Sequence, residues 1–297
     1  MPRGARAGLV LLIAAASLPS HAEACATCGC GDPTLTVMGN GTPFEGRLRV
    51  SLQAQARADR FGQSGVDRTT IRELQLSLAA AYAPSDRLVL SAQLPLVLRS
   101  VGWANGARAT TLGPGDLELT GRVTVWQDRS FAPSFLVGGT LGVKLPTSLD
   151  HGGPTGRIPV DAQSGTGTID PLAGLFLTYL ADPWALFTSG VVRVPLAGRY
   201  EEEPGTSVRT TTAVQYRVDT HVTLRGAVDT RYDAPALVLG RRDPSTEHFA
   251  LFLSPEVLWS PVTDLILSLA VRVPVLQVSG QTRRESPYLQ LSAVLDA

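Results

Sequence analysis

The chain of 297 residues carries 26 basic and 26 acidic side chains, and this formal neutrality excludes the positive excess typical of nucleic-acid-binding proteins. Its length suits one large β domain rather than two smaller ones. The 29 glycines and 21 prolines leave few windows long enough for a helix, so the composition favours many strands separated by turns.

The first residues have the pattern of an export signal. Arg3 and Arg6 precede an apolar run over residues 7–18, which is shorter than the roughly 20 residues that a membrane-spanning helix needs. Small residues that suit a cleavage site follow at positions 20, 22 and 24. We therefore expect residues 1–24 to be a cleaved signal peptide.

A Cys-rich segment, residues 25–43, comes next and holds the three cysteines of the chain, Cys25, Cys28 and Cys30. Thiolates at this spacing can bind a soft metal ion such as Cu(I) or Zn(II). One disulfide plus an odd thiol that pairs with a periplasmic partner fits an exported chain equally well. Lipid attachment at Cys25 is a third alternative, whereas covalent haem is not expected because Gly29 stands where a c-type haem needs histidine.

From about residue 44 onward, segments of roughly 10–14 residues alternate between apolar and polar side chains, a length that spans a bilayer when a strand is tilted. Residues 70–82 also fit a helix, but we prefer a strand because Glu73, Gln75 and Ser77 alternate with apolar residues. We predict twelve strands, at 44–57, 70–83, 87–99, 115–127, 134–146, 165–180, 184–197, 208–218, 221–232, 247–260, 264–276 and 286–296.

The predicted connections alternate strictly between short and long, so all the long ones fall at one end of the sheet and both termini at the other. Outer-membrane barrels have this arrangement, with the long loops facing outward. The sequence therefore predicts an all-β fold, a single antiparallel transmembrane β-barrel over residues 44–297. We expect it in the outer membrane of a Gram-negative bacterium, with a periplasmic N-terminus, an apolar face toward lipid and a polar face around the lumen.

Prolines recur near the long-loop ends of successive predicted strands. A proline cannot donate a hydrogen bond to a sheet ladder, so we expect each to mark a bulge or the end of pairing, with kinks that open lateral gaps as the alternative. The residues are Pro95, Pro146, Pro195, Pro235 and Pro274.

Four short blocks stand out along the predicted barrel. They are Gly113-Pro-Gly-Asp-Leu-Glu-Leu119, Gly139-Thr-Leu-Gly-Val-Lys-Leu-Pro-Thr147, Gly165-Thr-Gly-Thr-Ile-Asp170 and Val271-Arg-Val-Pro-Val275. In order and spacing, the region 85–297 resembles the outer-membrane transporters of the "MetA-pathway of phenol degradation" family, to which the Cys-rich segment is an addition. The resemblance implies a barrel of about twelve strands and a transport role, often for small hydrophobic or aromatic compounds.

The predicted register points twelve basic and five acidic side chains into the lumen. Rings of basic side chains bias a pore toward anions, whereas a ladder of charges that neutralise one another would fill and stiffen a narrow barrel, and both interpretations stay open. The candidate lumen-lining residues are Arg47, Arg49, Glu73, Glu118, Arg122, Lys144, Arg193, Arg217, Arg225, Asp229 and Arg272. The predicted register also points six further charged residues into the lumen, namely Arg57, Arg87, Arg99, Arg231, Asp219 and Glu256.

No nucleophile stands with a base, and no glycine-rich phosphate loop or catalytic carboxylate pair is evident, so the sequence does not predict an enzyme. His151, His221 and His248 are expected to be polar surface or lumen groups. The leading hypothesis is a passive outer-membrane channel, without a cofactor, for small hydrophobic or aromatic compounds or small anions. The alternative is a barrel that anchors the Cys-rich segment for metal handling or for docking a redox partner.

Overall fold

The computed structural model describes residues 45–62, 68–129, 133–153, 156–157, 162–196, 202–238, 240–279 and 285–297. The expected signal peptide and the Cys-rich segment, with Cys25, Cys28 and Cys30, lie outside the described residues. Across these ranges, no helix is both long enough and apolar enough to cross a membrane.

The described residues are almost entirely in strands, with one turn of 3-10 helix at Pro244–Thr246. In chain order the strands are β1 (Leu48–Phe61), β2 (Thr69–Ser85), β3 (Leu88–Gly102), β4 (Arg108–Pro114), β5 (Leu117–Gln127), β6 (Phe135–Leu145), β7 (Gly152–Gly153), β8 (Gly156–Arg157), β9 (Asp170–Ala181), β10 (Trp184–Arg193), β11 (Glu202–Glu203), β12 (Ser207–Arg217), β13 (Val222–Asp233), β14 (Ala236–Val238), β15 (Arg241–Asp243), β16 (His248–Val262), β17 (Leu265–Ser279) and β18 (Tyr288–Asp296).

The long strands form one closed antiparallel sheet, because β1 pairs with both β18 and β2, and β2 also pairs with β3. Strands β4 and β5 follow one another along the same neighbour, opposite residues 96–102 and 88–93 of β3. They are therefore two parts of one strand, interrupted at Gly115 and Asp116. Counted in this way, the described residues form a barrel of twelve strands, and the prediction of a transmembrane barrel is confirmed.

The two ends of the barrel differ in their connections. The connections β2–β3, β5–β6, β9–β10, β12–β13 and β16–β17 have two to seven residues and lie at one end, the short-turn rim. The connections β1–β2, β3–β4, β6–β9, β10–β12, β13–β16 and β17–β18 lie at the other end, the long-loop rim, and reach 24 residues between β6 and β9, although β3–β4 has only five because β4 extends the wall. Strand β2 covers the segment for which a helix was the alternative, so the strand prediction there is confirmed.

Two differences from the predicted boundaries matter for the site. Strand β9 begins at Asp170, so residues 165–169 are not part of a strand as expected. Residues 108–114 form β4, although the prediction placed them in a long connection. Both differences lie on the same side of the barrel, where the long connection between β6 and β9 meets the wall.

The two faces of each strand have opposite polarity. In β2, Leu74 and Leu78 are about half exposed, whereas Gln75 and Ser77 between them are buried, as is Glu73 before them. Successive side chains of a strand point to opposite faces, so the leucines face outward and the polar groups face the lumen. At the short-turn rim an aromatic belt includes Trp126 against Phe135, with ring centroids 5.5 Å apart, and such belts mark a membrane interface.

The prolines mark irregular pairing, as predicted. At the long-loop rim, Pro146 directly follows β6, and Pro195 and Pro235 come two residues after the ends of β10 and β13. Pro274 lies at a register shift between β16 and β17, and Pro95 lies where the neighbour of β3 changes from β5 to β4. The irregularity at Pro95 lies opposite the break between β4 and β5, which is part of the candidate site.

Candidate functional site in the lumen

The break between β4 and β5 is built around a glycine. The backbone N–H of Gly115 donates to the carbonyl of Pro95 over 2.7 Å. A Cβ atom at this glycine would lie 2.8 Å from Cγ of Pro95 and 3.1 Å from the carbonyl oxygen of Ser164. Real Cβ atoms do not come as close as the first distance, and the second is a tight contact, so a side chain here would have to displace Pro95 and the position favours glycine.

The end of the long connection between β6 and β9, residues 162–169, lies against the inside of the wall and is called the inner segment here. The Thr111 hydroxyl donates to the carbonyl of Ala162 over 2.7 Å, and the Arg99 guanidinium donates to the carbonyl of Gln163. Thr111 and Arg99 belong to the lumen-facing set of β4 and β3. The inner segment therefore occupies part of the lumen near the long-loop rim.

A buried ionic cluster anchors the inner segment to the wall. Asp116 accepts hydrogen bonds from the backbone N–H of Thr166 over 2.8 Å and from its hydroxyl over 3.1 Å. Nζ of Lys144 lies 3.4 Å from Asp116 and 2.7 Å from Asp170, and it also donates to the Thr166 hydroxyl. Buried charges are tolerated when each has a partner, so this cluster holds β5, β6, β9 and the inner segment together.

Three of the four blocks that carry the family resemblance meet in this cluster. Asp116 comes from the first block, Lys144 from the second, and Thr166 with Asp170 from the third. Lys144 was a candidate lumen residue, but the sequence analysis missed the roles of Asp116 and Asp170. The only sequence signal was that the blocks occur together, and this spatial contact gives a physical reason for it.

A second contact fixes the start of the connection to its end. The backbone N–H of His151 donates to the amide oxygen of Gln163 over 2.9 Å, and the amide nitrogen of Gln163 donates to the carbonyl of His151 over 3.0 Å. The imidazole lies 2.9 Å from the carbonyl of Leu149 and 3.2 Å from that of Leu112. His151 is thus a partly buried loop anchor rather than the exposed group expected from the sequence.

A chain of ion pairs continues around the lumen from the inner segment. The Glu73 carboxylate lies between two guanidinium groups, 2.9 Å from Arg57 and 2.5 Å from Arg99. Arg57 lies 3.6 Å from Asp59, which accepts a hydrogen bond of 3.2 Å from the backbone N–H of Ser286. The connection that precedes β18 is therefore joined to the same chain of charges as the inner segment.

Glu285 brings a further carboxylate into the lumen from that connection. Its side chain is buried, forms an ion pair with Arg231 and lies 3.3 Å from Nε2 of His248. Arg231 also pairs with Asp233 over 3.0 Å, and the amide nitrogen of Gln277 donates to the Glu285 carbonyl over 3.0 Å. We call these charged groups together the polar collar, and its members are Asp116, Lys144, Asp170, Arg99, Glu73, Arg57, Asp59, Glu285, Arg231 and Asp233.

No family model and no curated protein matches the sequence. Among solved structures, an outer-membrane channel from Pseudomonas putida F1 is similar, with a TM-score of 0.66 and 18% identity over 87% of this chain and 97% of that chain. It has the fold of an outer-membrane barrel. The beta domain of the Bordetella autotransporter BrkA is also similar, with a TM-score of 0.51 and 10% identity over 85% of this chain and 100% of that one. Identities this low establish the fold alone.

Further ion pairs line the barrel outside the collar. They are Arg225 with Glu256 at 3.1 Å, Arg272 with Asp229 at 3.7 Å, and Arg193 with Glu118. Along the wall, β6 and β9 separate Arg193 on β10 from Glu118 on β5, so these two side chains reach across the lumen face. The guanidinium of Arg122 lies 3.6 Å from the centre of the Phe176 ring, a cation–π contact on the same face.

The remaining candidate residues lie at the short-turn rim of the barrel. Arg49 is buried and pairs with Asp296 at 2.5 Å, just inside the wall. Arg47 lies at the rim, is exposed and pairs with Asp264 at 3.1 Å, and Arg217 is likewise exposed and pairs with Asp182. Arg87 and Asp219 lie in exposed turns rather than in the lumen.

The balance of lumen charge differs from the expected excess of basic groups. Arg47, Arg87 and Arg217 are exposed at the short-turn rim rather than in the lumen, and the lumen contains carboxylates that the sequence analysis did not assign. They are Asp59, Asp116, Asp170, Asp233, Glu285 and Asp296. Most lie at strand ends or in connections, where the period-two pattern stops. Among the described residues, the inner face is therefore close to charge balance.

A cavity of about 80 Å³ lies beside the inner segment. The amides of Gln75 and Gln93 line it, together with the charged groups of Arg99, Lys144 and Arg193. A solute at this position meets hydrogen-bond donors and acceptors on a surface whose charges are already paired. In the described part of the chain, no group of three or more histidine, cysteine, aspartate and glutamate side chains has the arrangement of metal ligands.

Proposed function

We propose that this barrel is a passive channel for small solutes, with the long-loop rim facing the cell exterior and the N-terminus in the periplasm. The observation that carries the proposal is a polar, charge-paired lumen surface enclosed by a wall that is apolar toward lipid. The same fold occurs in a channel and in an autotransporter domain, so fold alone does not choose between roles. The polar surface supports conduction because it offers hydrogen bonds along a path through the membrane.

We infer that the polar collar is where solutes are selected. Each of its four cations pairs with at least one of its six carboxylates, so a permeating ion meets only a small net charge, and selection depends on size and hydrogen bonding more than on the sign of charge. Aromatic side chains also lie on the lumen face, including Phe252 and Tyr288, whose ring centroids are 6.3 Å apart. This mixture suits small aromatic solutes that carry a polar group, in line with the family resemblance.

Planar-bilayer recording with purified, refolded protein tests the channel. We expect single-channel currents with a reversal potential near zero in a salt gradient, and swelling of protein-containing liposomes in phenylalanine or a small sugar. A barrel that is folded by heat-modifiable gel mobility, yet passes neither ions nor these solutes, contradicts the proposal.

The role of charge pairing is tested by Glu73→Gln. This change leaves the guanidinium groups of Arg57 and Arg99 with one carboxylate fewer, so the reversal potential should move toward that of chloride. Asp264→Asn is the matched control, because it removes a carboxylate from an exposed pair at the short-turn rim. Equal shifts in the two variants would place selection outside the collar.

The Cys-rich segment remains a separate prediction. Replacing Cys25, Cys28 and Cys30 by serine should leave permeability unchanged if the barrel acts as a channel. Loss of metal stoichiometry or of partner capture in the same variant would favour the anchoring alternative.

A further inference from the structure

Three arginines stand on the outside of the wall at the long-loop rim. Arg60 is the second-last residue of β1, Arg72 is the fourth residue of β2, and Arg108 is the first residue of β4. Their neighbours Asp59 and Glu73 face the lumen, and successive side chains alternate, so these arginines face away from it. Arg72 and Arg108 are exposed and Arg60 is half-buried.

The strand register brings the arginines together with three hydroxyl groups. Arg60 lies opposite Thr70, and Arg72 lies opposite Ser100, while residues diagonal across neighbouring strands are roughly 7–8 Å apart. The hydroxyls of Ser100 and Thr110 are 3.2 Å apart. We call this surface the basic patch, and its members are Arg60, Thr70, Arg72, Ser100, Arg108 and Thr110.

In the described part of the chain, no ion pair neutralises the positive charge of the basic patch. None of its arginines forms an ion pair with a described carboxylate, because the acidic residues of these strands bind arginines in the lumen. Outward positions near this rim on three other strands carry valine, namely Val192 on β10, Val208 on β12 and Val278 on β17. The patch is thus confined to one sector of the wall.

An apolar groove of about 550 Å³ leads to the patch along the outer surface, near the point where pairing between β1 and β18 ends. Its floor contains Ala56 and Ala58, and the larger side chains of Leu74 and Leu289 stand beside them. Arg72 is also part of its lining. The small alanines leave room for an extended hydrocarbon chain that ends at a guanidinium group.

We propose that the basic patch and this groove bind a phosphate-bearing glycolipid of the outer leaflet, with a phosphate on the arginines and an acyl chain in the groove. Guanidinium groups donate paired hydrogen bonds that match phosphate oxygens, and basic residues at a membrane surface attract anionic lipids. The patch lies where the leucine belt of β2 and β3 ends, the depth at which lipid head groups begin. Only the choice of leaflet rests on the orientation proposed above.

Native mass spectrometry of the purified protein in detergent, titrated with diphosphoryl lipid A, tests the site. The variant R60Q/R72Q/R108Q should bind about a hundredfold more weakly than the unaltered protein. The matched control is R241Q/R242Q, which neutralises two exposed arginines on β15 and should bind like the unaltered protein. Lipid A without its phosphates should bind the unaltered protein as weakly as the triple variant binds diphosphoryl lipid A.

Undiminished binding by the triple variant, or equal binding of the phosphate-free lipid, overturns the proposal. Tighter binding of phosphatidylglycerol than of lipid A also overturns it, because the occupant would then be a phospholipid. Conductance of the triple variant should stay unchanged, since the patch lies outside the lumen. If the barrel conducts no ions and still binds lipid A as expected, the channel proposal is contradicted and the lipid-binding proposal stands.

Discussion

The two rims of the barrel use the same pairing of arginine with carboxylate under opposite conditions. At the long-loop rim, the side chains of Arg57, Glu73 and Arg99 are at most 6% exposed. At the short-turn rim, Arg47 and Asp264 are 45% and 49% exposed. Removing one partner of a buried pair costs about 3–5 kcal/mol, and an exposed pair contributes about 0–1 kcal/mol. The buried pairs of the collar therefore stabilise the fold strongly, whereas the solvent-exposed pairs at the short-turn rim contribute little to the free energy of unfolding.

The largest expected effect comes from Lys144→Met, which leaves Asp116 and Asp170 buried without their cation. We expect a loss of about 3–5 kcal/mol in the free energy of unfolding, measured by urea titration with tryptophan fluorescence in detergent. Conductance should rise as the inner segment leaves the wall. A loss below about 1 kcal/mol would mean that water already solvates both carboxylates, and the contrast between the rims would fail.

A smaller effect is expected from Gly115→Ala, because the added Cβ must displace Pro95 or the inner segment. Such overpacking costs about 1–3 kcal/mol, which the same titration measures. Gly226→Ala is the matched control, since nothing lies within 4 Å of the Cβ position on that outward face of β13. If the two variants have the same free energy of unfolding, the break between β4 and β5 does not hold the inner segment in place.

Arg47→Met should change the free energy of unfolding by about 1 kcal/mol at most, because it removes an exposed pair that solvent screens. The measurement is the same urea titration, repeated at high salt, where the difference should vanish. A cost comparable to that of Lys144→Met would show that the rims do not differ in the way their burial implies.

The smallest effect concerns the turn between β12 and β13. The backbone N–H groups of His221 and Val222 donate to Asp219 over 2.6 and 2.8 Å, and these bonds hold the pKa of its carboxyl below the usual range. A depressed pKa stabilises the fold above the unfolded value of about 4, and this stabilisation is lost as the pH falls through the folded value. The stability difference between the unaltered protein and Asp219→Ala should therefore be full at neutral pH and shrink under acid. A difference that is constant with pH contradicts this.

The wall was predictable from sequence because its signal is local. Alternation with a period of two identifies strand positions and faces, and in β2 it chose correctly between strand and helix. Polarity also alternates in the third block, residues 165–170, so it resembled the start of a strand. Its partners Asp116 and Lys144 are distant in the sequence, and no local pattern reveals contacts of that range.

Strand β4 was missed for a related reason. Arg108 and Thr110 occupy outward positions at head-group depth, where a polar side chain is favourable, and they break the apolar alternation on which the prediction depends. Asp59 was likewise missed because β1 extends to Phe61, beyond the predicted end of the strand. The pattern thus fails at the boundary of the hydrocarbon, where the collar and the basic patch both lie.

The location of the inner segment within a single connection has a consequence for engineering. Strand β6 ends at Leu145 and strand β9 begins at Asp170. The connection between them, residues 146–169, is therefore a single segment that can be exchanged as a unit. A graft that keeps Thr166 would retain its contacts with Asp116 and Lys144 on the scaffold. Such a graft would change the solute selectivity of the barrel and leave every lipid-facing residue unaltered.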